Sequence, residues 1–448
     1  MAIRKNVFLN GLGQLGNSVV HTVDQLLMVP FFLMKWGAAY YGEWLTLSII
    51  PTVLGYTDLG FATAISNKFV LSYSNDDKQE AANVLKTGIA VITLVILVGC
   101  ALCILVLLGL QNSDFIARVK IPHHQVAISI MFLMCGRLIA FYSQLFSGIF
   151  RAKHKADLAY HFSSVNGILK IVVGLSTLLG GCGIVGFSFG QLVVSILYNF
   201  FLGLYSTRLV KDLPQGYRDR EIAVSALKIG FGYLLSPVWQ CIYIQGTTFA
   251  VRLALGPVGV AAFSTVRTVC NSVHTVFVIV CRSISPELQI AYGKKDMQLV
   301  RRLFNMSMQI VLILSLLGFV FLVLFGQQLY MWWTHNELQV SYSVWCIFMI
   351  GIPMNSLWWT AGSLFGTINK PIMFSLCGFI ASLVALYMTF TLSGVWYMEG
   401  AAVGYVVMDF LMLPMLLFLA MRELNVGFKE MFQFGNLNNE VRRVFNIK

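Results

Sequence analysis

Twelve apolar stretches, each near the roughly 20 residues a helix needs to cross a bilayer, divide this chain and dictate its surroundings. They run at about 12–34, 42–66, 86–108, 126–148, 158–179, 184–207, 229–251, 259–282, 304–326, 341–365, 372–393 and 399–421, numbered here as spans 1 to 12. In lipid every backbone N–H and C=O must be satisfied internally, and runs of this length do so as helices. Only 11% of the 448 residues are charged and the mean hydropathy is +0.76, whereas soluble proteins are about a quarter charged. The predicted fold class is therefore all-α: a polytopic membrane protein of twelve transmembrane helices.

The connections alternate in charge. Of 31 Lys and Arg, 24 lie in the N-terminal tail, the even-to-odd connections and the C-terminus, while Lys35, Arg118, Lys120 and Arg252 lie opposite. Because Lys and Arg are retained inside, both termini are expected in the cytoplasm. The same asymmetry accounts for the net charge of +12, so no nucleic acid partner is called for. The apolar run after Arg4-Lys5 continues to Met34 without a small-residue cleavage site, which reads as a retained first span. Trp332 and Trp333 suit an aromatic belt at the outer interface. Phe428–Phe434 reads as an interfacial segment resting on membrane lipid, and Arg442-Arg443 as a headgroup contact. Of nine cysteines, all but Cys182 fall in apolar segments, where thiols pack as small hydrophobes. Cys100 and Cys103 match C-x-x-C, but with no second pair or nearby His they predict no metal site.

The chain also repeats. A shift of 219 residues lays Gly37 on Gly256, Thr46 on Thr265, Ile65 on Ile284, Ser66 on Ser285, Tyr73 on Tyr292, Asp77 on Asp296 and Gln79 on Gln298. With six spans each, the repeats have the same orientation in the membrane. The expected organisation is an N-lobe at 1–207, a cytoplasmic linker at 208–228, a C-lobe at 229–421 and an interfacial tail at 422–448, with the two lobes around a central cavity.

Three cations, Arg137, Lys170 and Arg267, sit inside spans, where an ion costs about 2.5–3.5 kcal/mol on insertion scales. Arg137 and Lys170 each lie about 18 Å into their helices, close to the midplane. Polar residues at helical spacing join them: Gln14, Asn17, His21 and Asp24 on span 1; Ser163, Asn166 and Lys170 on span 5; Ser236, Gln240, Tyr243 and Thr247 on span 7; Arg267, Asn271 and His274 on span 8. Such stripes must face protein or water, so these spans are expected to line the cavity, with Gln144 of span 4 and Asp58 of span 2. Arg137, Lys170, Arg267, Asn271, His274 and Gln240 are the candidate ligands of an anionic cargo. The bland reading pairs the cations with Asp24, Asp58 and Asp409.

Other motifs are weaker. Gly11-Leu12-Gly13-Gln14-Leu15-Gly16 spells G-x-G-x-x-G but opens a membrane helix without the strand a dinucleotide site needs, so close helix packing explains it. Trp358-Trp359 beside Asn355 could stack on sugar rings, but packing or lipid contact is the better account. Pro30, Pro51, Pro237, Pro353 and Pro414 would bend their spans. No catalytic set or cofactor motif is present, and an enzyme is not expected.

Tyr41-Gly42-Glu43-Trp44 followed by Thr57-Asp58-Leu59-Gly60-Phe61-Ala62 resembles the second-helix signature of the polysaccharide-biosynthesis exporters, the O-antigen flippases. Their superfamily also holds multidrug extruders and the lipid II flippase. Gly366-Thr367-Ile368-Asn369-Lys370-Pro371 is similar to another recurrent element. The resemblance implies an undecaprenyl-pyrophosphate-linked oligosaccharide, an O-antigen or capsule repeat unit. It would be moved from the cytoplasmic to the periplasmic leaflet of a bacterial inner membrane by alternating access. It also implies a polysaccharide polymerase and chain-length machinery as partners. Twelve spans rather than fourteen argue against the lipid II branch. An ion-coupled multidrug or small-metabolite antiporter is the alternative. Asp24, relayed through His21, is the candidate for ion coupling.

Overall fold

The computed structural model describes residues 2–55, 61–111, 121–153, 155–233, 235–293, 295–368 and 371–433. Helix α1 (Ala2–Leu47) carries span 1 and, past a break at Gly37, opens span 2. Span 2 continues through α2 (Ile49–Gly55) and α3 (Phe61–Ser74). Spans 3 to 6 follow as α4 (Lys78–Gln111), the pair α5 (His123–Ile139) and α6 (Phe141–Ala152), α7 (Ala156–Leu179) and α8 (Gly183–Leu209). Span 7 is assembled from α9 (Arg220–Tyr233), α10 (Leu235–Cys241) and a π turn at Ile242–Gly246. It ends in α11 (Thr247–Gly293), which also holds span 8 beyond a break at Gly256. Span 9 is α12 (Met297–Phe321), a second π turn at Leu322–Gly326 and α13 (Gln327–Trp333). Span 10 is α14 (Tyr342–Thr367). Spans 11 and 12 share α15 (Pro371–Leu424), broken at Trp396–Tyr397, and one turn, α16 (Phe428–Met431), lies in the tail.

The protein is an all-α, multi-pass membrane protein. Among the described residues eight helices are long and apolar enough to cross a membrane, and two of them, Leu235–Cys281 and Ile372–Leu424, each contain two predicted spans. Lipid-facing surfaces are bare hydrocarbon: α4 exposes Leu94, Leu97, Leu102 and Leu105, as expected where no water competes.

The chain divides into two compact units, Met1–Val238 and Trp239–Lys448. In the first, α7 packs between α1 and α8, while α3 lies against α4 and α6. In the second, α11, α14 and α15 pack on one another around the buried Trp239, Trp345 and Trp358.

The repeat read from the sequence recurs as geometry. Gly37 and Gly256 break their helices at φ 70° and 73° with ψ 166° and −172°, an essentially glycine-only region costing an L-residue about 1–3 kcal/mol. Thr46 and Thr265 each return their hydroxyl to the carbonyl four residues back, at 2.9 and 2.8 Å. The turn after span 2 is copied after span 8. Asp76 and Lys295 both sit at φ 59°. Asp77 N donates to Ser72 O at 3.1 Å and Asp296 N to Ala291 O at 3.0 Å. Each Asp then caps the next helix, Asp77 Oδ1 accepting from Glu80 N at 2.8 Å and Asp296 Oδ1 from Leu299 N at 3.0 Å.

Candidate functional site

In the first unit, α7 approaches α1 so closely that a Cβ on Gly167 would fall 2.6 Å from Val20 Cγ1. This contact turns the two predicted stripes toward each other. Ser163 Oγ donates to Asn17 Oδ1 at 2.9 Å, and Asn166 Oδ1 is buried without a hydrogen-bond partner among the described residues. Further along, Asp24 and Lys170 are both half-buried and lie within electrostatic range of each other. His21 sits one turn before Asp24 and is exposed. Arg137, on α5, also lies within electrostatic range of Lys170 and is itself exposed. Ion pairs among the described residues include Lys68–Glu80, Lys78–Asp212 and Lys153–Asp212; Lys170 and Asp24 are near each other without an ion pair between them. Two cations and one carboxylate thus lie near one another and are all partly exposed. Asp58 and residues 434–448, including Arg442 and Arg443, lie outside the described residues.

The second unit uses its polar side chains differently. Arg267 is 8% exposed. Its guanidinium donates to Ile244 O at 3.0 Å and Thr248 Oγ1 at 2.9 Å, and it lies over the rings of Phe263 and Tyr405. Ile244 is at the centre of the first π turn, where the i→i−4 ladder is interrupted, and its carbonyl also accepts from Thr248 Oγ1 at 2.7 Å. The second π turn is served alike, by Trp345 Nε1 on Leu322 O at 2.8 Å. Half the span 7 stripe is internal: Tyr243 stacks on Tyr405 at 4.6 Å between centroids, and Thr247 is fully buried. Gln240, also on that stripe, is half-buried.

Asn271 and His274 line a cavity of about 30 Å³ with Asn355, Tyr405 and Asp409. His274 packs edge-on against Trp359 at 5.0 Å, and its Nδ1 is buried without a hydrogen-bond partner among the described residues. Asp409, 3% exposed, accepts two hydrogen bonds on Oδ1, from Asn355 Nδ2 at 2.8 Å and Trp358 Nε1 at 2.7 Å. The bland reading of Trp358 therefore holds, since it is 2% exposed and braces a carboxylate. Sequence reasoning missed this brace. Its signal was the three-residue spacing of Asn355 and Trp358, which puts both on one helix face. Among the described residues no group of His, Cys, Asp and Glu could hold a metal ion.

The architecture is that of a known class. An inward-facing multidrug resistance MATE family transporter of the MOP superfamily superposes with a TM-score of 0.76 at 16% identity, over 91% of this chain and 94% of that one. A MATE protein in its bent conformation gives 0.64 at 16% identity, over 94% and 95%. A MOP superfamily transporter from Pyrococcus furiosus, described as having a binding pocket of reversed polarity, gives 0.62 at 15% identity, over 94% and 96%. At such identities the likeness establishes the fold alone. No curated protein matches the sequence. The family model for polysaccharide biosynthesis proteins matches residues 4–286, more than half the chain, and the protein belongs to that family.

Proposed function

We propose that the protein flips an anionic lipid-linked oligosaccharide, an undecaprenyl-pyrophosphate-linked repeat unit of O-antigen or capsule, from the cytoplasmic to the periplasmic leaflet. The observation that carries this reading is the open cluster of Arg137, Lys170 and Asp24, in a chain of the polysaccharide biosynthesis family. A pyrophosphate needs charge-assisted donors; half-buried Lys170 would supply one, with Arg137 close enough to add to the local positive potential. Arg267, Asn271, His274 and Gln240 would belong to the cargo path of a C-lobe, Arg267 mainly by shaping the π turn. The lobes at 1–207 and 229–421 would alternate in access, with both termini cytoplasmic, and the product would pass to a polymerase. Asp24, with His21 one turn away, would carry the coupling proton.

The test is complementation of a deletion strain that has lost its surface polysaccharide. Wild-type protein should restore it, while Lys170→Ala and Arg137→Ala, inserted at normal level, should not. Full restoration by both variants would sink the anionic-cargo reading. The fold likeness to a multidrug transporter keeps an ion-coupled antiporter as the second reading. That reading predicts changed drug susceptibility in the deletion strain with its polysaccharide intact.

A further inference from the structure

The segment read as the inter-lobe linker, 208–228, is not a loose tether. It begins at the end of α8 and finishes inside α9, and the six residues 214–219 between them run without helical structure. Those six lie along α4. Gln79 Nε2 donates to Gln215 O at 3.2 Å, Tyr217 N to Asn83 Oδ1 at 2.8 Å, and Asp219 N to Thr87 Oγ1 at 3.0 Å. The register has a simple cause. Residues 79, 83 and 87 are four apart on one helix face, an advance of about 6 Å per step. Residues 215, 217 and 219 are two apart, an advance of roughly 6.6 Å per step in extended chain. The two rows therefore match for three consecutive bonds. Gly216 lies at the closest approach, where an added Cβ would come 2.2 Å from Ala82 O. Ahead of this row, Asp212 accepts from Lys153 Nζ at 2.9 Å and from Tyr73 Oη at 2.7 Å.

The second repeat ends in the same way. Its last helix is followed by 425–433, and this segment lies on α12, the counterpart of α4. Three α12 residues, again four apart, hold the end of α15 and this segment: Arg301 Nε donates to Leu424 O at 2.6 Å, Asn305 Nδ2 to Glu430 O at 3.4 Å, and Gln309 Nε2 to Met431 O and Gln433 O at 3.1 and 3.2 Å. Met431 is fully buried beneath this row.

We infer that each repeat closes on itself with a trailing strap over its third span, and that the connection between the repeats is the first of these straps, fixed to unit 1. Two further observations agree. Helix α9, directly after the strap, packs on α3 and α4 within unit 1, while the π turn at Ile242–Gly246 packs on α11 and α15 within unit 2. The chain therefore passes from one unit to the other inside span 7, at the α10 segment with Pro237, and any movement between units takes place there with the strap still docked. This holds whatever cargo is carried.

The test locks the strap. In a Cys182→Ser background, Gln79→Cys with Gln215→Cys, and separately Asn83→Cys with Tyr217→Cys, are expressed in a deletion strain and treated with a short membrane-permeant bifunctional thiol reagent, since the side-chain-to-backbone bonds space these positions beyond a direct disulfide. We expect near-complete crosslinking in both pairs and surface polysaccharide restored to the level of the single-cysteine parents. Incomplete bridging, or complete bridging that abolishes restoration, overturns the inference. If the parents themselves restore nothing, the functional proposal fails, and the strap is judged by bridging yield and by trypsin. Purified wild-type protein should resist cleavage at Arg218 and Lys429. Gly216→Val should speed cleavage at Arg218, and Gln309→Leu at Lys429, each by about tenfold or more as the local closing equilibrium is lost. Equal rates in wild type and variants would count against the straps.

Discussion

The two units share one frame and use their polar residues oppositely. Both break a helix at an equivalent glycine, return an equivalent threonine to its own backbone, and cap the third span with an equivalent aspartate. Yet unit 1 leaves Lys170, Asp24 and Arg137 near one another and partly open. Unit 2 buries Arg267 on a π-turn carbonyl and Asp409 under an indole and an amide. A repeat constrains backbone turns and caps because these are local. It does not constrain what fills the interior, so one copy can hold its charges for structure and the other for cargo.

The sharpest way to break this contrast is to delete both kinds of cation and measure folding. Arg267→Ala removes the guanidinium's hydrogen bonds to Ile244 O, which keeps Thr248 Oγ1 as a donor at 2.7 Å, and to Thr248 Oγ1, together with its packing on Phe263 and Tyr405, and should cost about 1–3 kcal/mol, read as a clear fall in Tm in detergent. Arg267→Lys should recover part of it, because one ammonium can reach one of the two acceptors. Lys170→Ala should leave Tm nearly unchanged. If Lys170→Ala destabilises as much as Arg267→Ala, the contrast between the units is wrong.

A smaller effect probes the carboxylate of unit 2. Trp358→Phe removes one donor to Asp409 while keeping the ring, and should cost about 1–2 kcal/mol. Asp409→Asn should cost less than Asp409→Leu, since the amide oxygen can still accept. Thermal unfolding of the three variants checks the order.

The common frame makes a matched prediction. Gly37→Ala and Gly256→Ala each force an L-residue into extended backbone at positive φ and should each cost about 1–3 kcal/mol. Clearly unequal losses in thermal unfolding would show that the repeat is equivalent in sequence only.

The smallest expected effect is of pH on the first strap. Hydrogen bonds from Lys153 and Tyr73 hold the Asp212 carboxyl down to about 2. A depressed carboxylate contributes its stability above the ordinary carboxylate range and loses it as pH falls toward its folded value. Trypsin cleavage at Lys211 and Arg218, divided at each pH by the rate on an unstructured peptide with the same sites, should therefore be flat between pH 8 and pH 5. A marked change within that window would mean that Asp212 is not held as described.

Much of the fold was legible because membrane helices declare themselves by length, and the repeat by a constant offset. Gly37 and Gly256, unremarkable in composition, mattered because the offset aligned them. The open cluster was partly legible: Asp24 and Lys170 stood on polar stripes, and only packing could bring Arg137 to them. The place of Arg267 was not, because a π turn leaves no mark in the sequence and a buried guanidinium on a carbonyl looks the same as one awaiting a phosphate. The straps were hidden for a related reason. Gln79, Asn83 and Thr87 form a polar row at the end of a span, and nothing local says that residues 215–219 will lie on it.

The central claim is that the cations of unit 1 serve an anionic cargo. Its most direct measurement is flipping of a purified undecaprenyl-pyrophosphate-linked oligosaccharide in proteoliposomes, comparing wild type with Lys170→Gln of equal Tm. The account predicts that wild type flips the lipid and that the variant, folded and inserted, loses most of that rate. An unchanged rate in Lys170→Gln, or no flipping by wild type while a cationic drug is exchanged, would contradict it.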